Sequence, residues 1–364
     1  MSLTLYRKYR PQLFSEVIGQ EYIKKTIENE LKIGRTSHAY LFYGPRGTGK
    51  TTLGRILAKS LNCQKRKEGQ SEPCNQCSSC LDSMQGKNFD LIEIDAASHT
   101  QVDKVRENII ENIKFLPSRS HYKVFIIDEI HMLSQSAFNA LLKSLEEPPS
   151  YVIFILCTTE VHKLPKTIVS RCQKFNFSKV SPIEIFDRLK KITKLEKIKI
   201  DEDVLKNIAR LSQGHVRDAE SLLAQVLSLG DKEITKKEAE IILPYSEFEK
   251  VAELIGYLFQ KNSQQAIELI NQSLESGVDL KQFNISLVEF LRQILLVKIS
   301  GGKTKDVFII DKELEKNLLS LSEKIEINNL VKIIEELIKI RTQLETSEIP
   351  QLPIELAVIK ICHL

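Results

Sequence analysis

An α/β domain built on a parallel sheet and continuing into a helical remainder is the fold class this sequence predicts, on three observations. Short apolar runs at Ala39–Tyr43, Leu91–Asp95, Val124–Asp128 and Val152–Thr158, with a weaker one at Gln173–Phe177, are separated by helix-like segments. Such alternation gives a parallel sheet covered on both faces. The first run leads into Gly44-Pro45-Arg46-Gly47-Thr48-Gly49-Lys50-Thr51, which fits G-x-x-x-x-G-K-[ST] in the strand-to-helix setting that pattern requires. Beyond Ser246 the chain reads as helix throughout.

Taken in order, Pro11 and Gly19 point to an extended arm and a turn rather than a helix. Ile23, Ile27 and Leu31 then recur at four-residue steps, as on an amphipathic helix over 21–33. A helix at Leu53–Leu61 follows the glycine loop, and two more are expected at Val102–Phe115 and Ser134–Leu145. The last has Ser134 as its N-cap, Phe138, Leu141, Leu142 and Leu145 on one face, and Pro148-Pro149 as its stop. A small helical lid is expected over 179–242, starting near Pro182, with helices at Asp203–Leu211 and Asp218–Leu229 and breaks at Gly214 and Gly230. Helices at Phe248–Phe259, Gln265–Leu274, Leu280–Ile299, Lys312–Leu321, Ile327–Leu344 and Ile354–Ile361 complete the pattern.

At 364 residues the chain exceeds one ordinary core and calls for two or three domains. Hydrophobic residues at 42% and charged residues at 27% are those of a water-soluble globular protein, and no apolar run approaches the ~20 residues that span a bilayer. The N-terminus lacks the apolar stretch of a secretory signal, so a cytoplasmic location without membrane contact is expected. Residues 1–178 carry 25 Lys and Arg against 18 Asp and Glu, and the remainder 27 against 30. A positive N-terminal part is compatible with a polyanionic partner.

The chemistry of the glycine loop is local. Glycines let successive backbone N–H groups turn inward around an anion at a helix N-terminus, Lys50 reaches the β- and γ-phosphates, and the Thr51 hydroxyl suits Mg²⁺. Parallel sheets carry their chemistry at the carboxyl ends of the strands. There Asp128 can complete the Mg²⁺ shell and Glu129 can polarise an attacking water. Thr158 and Thr159 end the next run with hydroxyls that could report on the γ-phosphate. The alternatives are a strand-end turn and an acidic helix cap.

An insertion at about 62–86 places Cys63, Cys74, Cys77 and Cys80 in the spacing C-x10-C-x2-C-x2-C. Four thiolates so clustered in a reducing compartment fit a closed tetrahedral Zn²⁺ site of structural type, with redox-active pairs as the alternative. Cys157, Cys172 and Cys362 adjoin apolar segments and are expected as packing residues.

The segments RPQLFSEVIGQ, HAYLFYGPRGTGKT, DLIEIDAAS, FIIDEIHMLS, FNALLKSLEEPP, SRC and GHVRDAES, with the four cysteines, resemble one family. It is the bacterial DNA polymerase III gamma/tau family, AAA+ ATPases of the sliding-clamp loader. The motifs cover residues 1 to about 240, and beyond that only the helical pattern agrees. The resemblance implies an AAA+ P-loop ATPase domain with a zinc-binding insertion over 1–178, the lid over 179–242 and an all-α oligomerisation collar over 243–364. It also implies ATP, Mg²⁺ and Zn²⁺ as cofactors, with Arg46 and Thr52 beside the phosphates.

Roles follow by the same route. Arg171 of SRC is implied to act in trans on ATP held by a neighbouring subunit, and Arg217 to reach the nucleotide from the lid. Thr158 or Thr159 is the first sensor. Arg10-Pro11 and Val17-Ile18 are similar to the segment that packs around adenine. Ser98, Thr100 and Arg106 belong to a stretch implied to meet DNA phosphates, where relatives can carry Arg and Lys in place of His99 and Gln101. The implied partners are delta, delta-prime and further gamma/tau copies, the beta sliding clamp and primed DNA. The implied activity is ATP hydrolysis within the polymerase holoenzyme, not polymerisation. Longer family members continue past this chain's end, which suggests a short form or a fragment. Two other classes remain: a non-catalytic loader scaffold, against which the intact loop residues argue, and another AAA+ motor such as a branch-migration protein, which would not predict the cysteines.

Overall fold

A computed structural model describes residues 4–97, 111–230, 233–239, 242–243, 246–299, 320 and 325–363. The chain divides into two compact units, residues 1–197 with 208–228 and residues 198–207 with 229–364.

The first unit is organised by a five-stranded sheet of β1 (Ala39–Tyr43), β2 (Leu91–Asp95), β3 (Lys123–Asp128), β4 (Val152–Thr158) and β5 (Gln173–Asn176). The spatial order is β2-β3-β4-β1-β5, and every pairing is parallel. The chain leaves β1 for the far edge, returns through β3 and β4, and crosses to β5. β1 therefore lies where the strand order reverses, which is where open α/β sheets bind ligands.

The two-residue period of the strands sorts their side chains between two cores. From β1, Tyr40 and Phe42 join Leu53, Ile56 and Leu57 of the helix Lys50–Leu61 and Ile23, Ile27 and Leu31 of the helix Glu21–Ile33. Ala39 and Leu41 point the other way, toward Phe138, Leu141 and Leu145 of the helix Gln135–Glu146. Ser134 caps that helix as its sequence position predicts, accepting from the Ala137 N–H at 3.2 Å. Two helices, Pro182–Glu196 and Val216–Leu227, complete this unit; the first opens with a Ser181/Glu184 capping box.

The N-terminal arm departs from expectation. Leu5–Lys8 forms one helical turn and Phe14–Glu16 a 3₁₀ turn, both shorter than any periodicity can reveal. Of the helix expected over 102–115, residues 102–110 lie outside the described part and 111–113 are helical.

In the second unit, Lys199–Ile200 pairs in parallel with Glu233–Ile234. Its helices Ser246–Phe259, Ser263–Glu275, Leu280–Ile299, Ile327–Lys339 and Leu352–Cys362 enclose a separate core that includes Leu254, Ile270, Phe283, Leu287, Leu337 and Val358. The helix expected over Ile327–Leu344 is interrupted: it ends at Lys339, and Gln343–Thr346 is a distinct turn. The helix expected at Lys312–Leu321 lies outside the described residues apart from Ser320. No helix among the described residues is long and apolar enough to cross a membrane.

Candidate nucleotide site and cysteine cluster

The loop after β1 turns tightly against the end of β5. Gly44 has a φ of 139°, and a Cβ there would stand 2.2 Å from the Phe177 carbonyl oxygen, so only glycine fits. Gly47 has a φ of 73° and takes the lid at close range. Its carbonyl accepts from the Val216 N–H at 3.0 Å, which fixes the start of the lid helix on the loop.

Lys50 is buried, and its ammonium donates to the carbonyls of Gly44 and Pro45, each at 2.8 Å. Burial holds it below the usual lysine range, with the carboxylates of Glu129 and Asp128 opposing that shift. A desolvated cation behind a run of glycine amides suits a polyphosphate, whose charge offsets the burial. The Thr51 hydroxyl donates to Asp128 Oδ2 at 2.6 Å, joining the loop helix to the end of β3. Hydroxyl and carboxylate are hard oxygen donors of the kind Mg²⁺ prefers, so these two residues fit that ion.

Glu129 sits in the left-handed region at φ 47°. Its Oε2 accepts from the Thr159 hydroxyl at 3.0 Å and the Thr159 N–H at 3.3 Å. Thr158, fully buried, faces elsewhere: its hydroxyl meets His131 Nδ1 at 3.0 Å and accepts from the Glu160 N–H at 3.0 Å. Of the two threonines, Thr159 is thus the one bonded to the acidic pair.

One cleft collects most of the residues named from sequence. It is lined by Arg10, Pro11, Val17 and Ile18 from the N-terminal arm, by Arg46 to Thr52 of the loop, and by Asp128, Glu129 and Arg217. Gly44 and Pro45 stand behind it as acceptors for Lys50. Arg171 does not line the cleft; its guanidinium bonds Glu146 at 2.6 Å and the Thr167 carbonyl at 2.8 Å. Ser98, Thr100 and Arg106 lie outside the described residues.

Sequence reasoning missed Tyr6, Glu16, Arg188, Val216 and Glu220, which also line the cleft. The Arg217 guanidinium lies 4.7 Å from the centre of the Tyr6 ring, a cation–π contact that holds the lid arginine over the cleft. Arg188 pairs with Glu220 at 3.0 Å and also donates to the Tyr9 carbonyl, tying the arm to both lid helices. Burial raises the Glu220 carboxyl, and Arg188 works against that rise. No local pattern marks partners 32 and 179 residues apart.

The four cysteines of the insertion converge as their spacing predicts, with all four Sγ atoms within 4.8 Å of one another. Backbone amides turn toward the sulfurs: Cys74 N–H toward Cys63 Sγ at 3.3 Å, and Gln76 and Cys77 N–H toward Cys74 Sγ at 3.4 and 3.3 Å. Burial pushes the Cys74 thiol up, but those two amides and the neighbouring thiols outweigh it and bring it down to about 6. Four sulfurs gathered in this way fit a tetrahedral Zn²⁺ ion. Cys157, Cys172 and Cys362 are buried in packing positions, as expected.

A phosphate loop at the switch point of a parallel sheet, with an acidic pair on the neighbouring strand end and a lid arginine above it, is the construction of an AAA+ nucleotide-binding domain. Comparison with known proteins narrows the class. A family model for the DNA polymerase III delta subunit matches residues 19–181, one for the ATPase lid domain of the DNA polymerase III clamp loader subunit matches 184–232, and one for domain III of DNA polymerase III subunits gamma and tau matches 234–364. DNA polymerase III subunit gamma of Buchnera aphidicola subsp. Schizaphis graminum is 42% identical over 311 residues, covering 85% of each chain. DNA polymerase III subunit tau of Bacillus subtilis is 42% identical over 99% of this chain, and that of Escherichia coli 39% identical over 81%. The chain spans 63% and 46% of the lengths of those two tau subunits. It belongs to the DNA polymerase III gamma/tau family, the family its motifs resemble.

Proposed function

We propose that this chain is an ATP-hydrolysing subunit of a cytoplasmic clamp loader, in which ATP binding opens the beta sliding clamp on primed DNA and hydrolysis releases both. The observation that carries the reading is the 2.6 Å bond between Thr51 and Asp128 with Glu129 next in sequence, at the mouth of the glycine loop. Arg46 to Thr52 hold the phosphates, Lys50 neutralises them, and Thr51 with Asp128 holds Mg²⁺, which when bound spreads the charge of the transferring phosphoryl group. Glu129, oriented by Thr159, takes the proton of the attacking water. Arg10, Pro11, Val17 and Ile18 enclose the base, and Arg217 reaches from the lid.

Arg171 serves the site of a neighbouring subunit, which accords with its place outside its own cleft. Residues 1–178 form the ATPase domain, 179–242 the lid and 243–364 the collar that joins delta, delta-prime and further gamma/tau copies. Ser98, Thr100 and Arg106 contact DNA, and Cys63, Cys74, Cys77 and Cys80 hold a structural zinc. The test is ATP turnover by the reconstituted loader with and without clamp and primed DNA. Stimulation by both is expected, and its loss in Arg171→Ala with ATP binding retained supports the trans role. Equal turnover in their presence and absence would defeat the proposal.

A further inference from the structure

The chain between Cys63 and Cys74 reaches back to the N-terminal arm, just ahead of the residues that line the cleft. One Glu72 carboxylate oxygen accepts from the Phe14 N–H at 2.8 Å and the other from the Ser15 N–H at 2.9 Å. These are the first two amides of the 3₁₀ turn Phe14–Glu16, and the residue before that turn, Leu13, provides no side-chain cap of its own. Helical turns leave their first N–H groups unpaired, and a carboxylate is the strongest acceptor for them. Glu72 therefore supplies, from 58 residues away, the cap that the local sequence omits.

A second tie runs beside the first. Asn75, in the left-handed region at φ 55° between Cys74 and Cys77, donates to the Gln12 carbonyl at 3.5 Å. Gln12 is also fixed from two other directions: its side-chain oxygen accepts from Lys59 Nζ at 2.8 Å, and its N–H donates to Glu16 at 2.6 Å. Phe14 is fully buried in the sheet core, so the turn cannot pivot freely. Glu16 at the end of the turn, and Val17 and Ile18 just after it, line the cleft together with the glycine loop. The cysteine segment is thus bonded to the short stretch 12–15 that leads directly into the cleft-lining residues 16–18.

We infer that the cysteine module sets the position of the base-side wall of the nucleotide cleft through Glu72, a positioning residue for nucleotide affinity. The inference rests on the ATP-site reading and adds to it a role for the insertion beyond local folding. The two charge-assisted bonds act on the wall that encloses the base and leave the phosphate loop untouched. Their loss should weaken recognition of the base selectively.

The experiment measures equilibrium binding of ATP and of tripolyphosphate, which has the phosphate chain without the base, to the full chain. Wild type, Glu72→Ala, Glu72→Gln and chelator-treated wild type are compared, with metal content determined in parallel. Glu72→Ala should bind ATP about tenfold more weakly and tripolyphosphate within about twofold of wild type, with its metal retained. Glu72→Gln keeps one acceptor oxygen and should fall between the two. Metal removal should reproduce the Glu72→Ala pattern. Unchanged ATP affinity in Glu72→Ala overturns the inference, as does an equal loss for ATP and tripolyphosphate, which would mean general loosening. A wild-type chain that binds neither ligand overturns the ATP-site reading itself and the inference with it.

Discussion

The Thr159 hydroxyl lies 3.0 Å from Glu129 Oε2, and the N–H of the same threonine reaches the same oxygen at 3.3 Å. His131 Nδ1 approaches that oxygen as well, at 3.4 Å. The carboxylate is thereby oriented from the end of β4 while its own backbone holds the left-handed conformation, uncommon outside glycine. Glu129→Gln should keep ATP affinity within about threefold and lower turnover by roughly 10²-fold or more, the usual share of a general base. Thr159→Val keeps the base and removes one of its orienting donors, so a loss of about tenfold is expected. Steady-state hydrolysis by the reconstituted loader beside equilibrium binding checks both. A Thr159→Val chain with wild-type turnover would reduce this bond to a strand-end contact.

Arg171 is bonded to Glu146 at 2.6 Å with its side chain about one-third exposed. An exposed ion pair contributes about 0–1 kcal/mol, so it restrains the arginine only lightly. Arg171→Ala should leave the affinity of its own chain for ATP unchanged and lower stimulated turnover of the assembly by about 10³-fold or more, as for arginine fingers supplied in trans. Glu146→Ala should leave both quantities and the melting temperature near wild type. The informative comparison is an assembly that mixes wild-type and Arg171→Ala chains. A variant that loses its own ATP binding would place Arg171 in its own cleft, against the geometry.

What the sequence could reveal followed the range of the forces involved. The glycine loop, the Ser134 cap and the alternating strands are set by neighbours a few residues apart, and each stands where expected. The convergence of the four cysteines was legible because their short gaps are those that bring thiols together on one small loop. Strand order was not, since it depends on which crossover packs best. Nor was Tyr6 beneath Arg217 or Glu72 beneath Phe14, since nothing local distinguishes those side chains from solvated ones. The break after Lys339 stayed hidden for a different reason. Ile340 and Leu344 both pack into the helical core across the interruption, so the apolar period survives where the helix does not.

Under reducing conditions the four sulfurs, all within 4.8 Å of one another, should hold one zinc ion per chain. Binding to the folded arrangement adds its free energy to folding. Cys77→Ser should therefore lose the stoichiometric metal and melt roughly 5 °C or more below wild type. Elemental analysis and calorimetry test this together. Metal-free reduced protein that melts at the same temperature as zinc-loaded protein would remove the structural role.

Asp90 offers a test of what aims β3 at the site. It is 2% exposed, and its two oxygens accept from the Ser118 N–H at 2.8 Å, the Arg119 N–H at 3.0 Å and the Ser120 N–H at 2.9 Å, with the Ser118 hydroxyl at 3.3 Å. That turn leads to Tyr122, whose N–H and carbonyl are held by Asn62, and so into the strand that ends at Asp128. Burial alone would raise the carboxyl; the three amides outweigh it and hold it below the usual range. With the folded value below the unfolded one, the stabilisation is present in full above about pH 4 and is lost as pH falls through the folded value. Asp90→Asn keeps a single acceptor oxygen and should cost about 2–3 kcal/mol at pH 7. Urea unfolding at pH 7 and at pH 3 should show the gap between variant and wild type narrowing at the lower pH. A gap of equal size at both would mean that the ionised carboxylate is not what holds the turn.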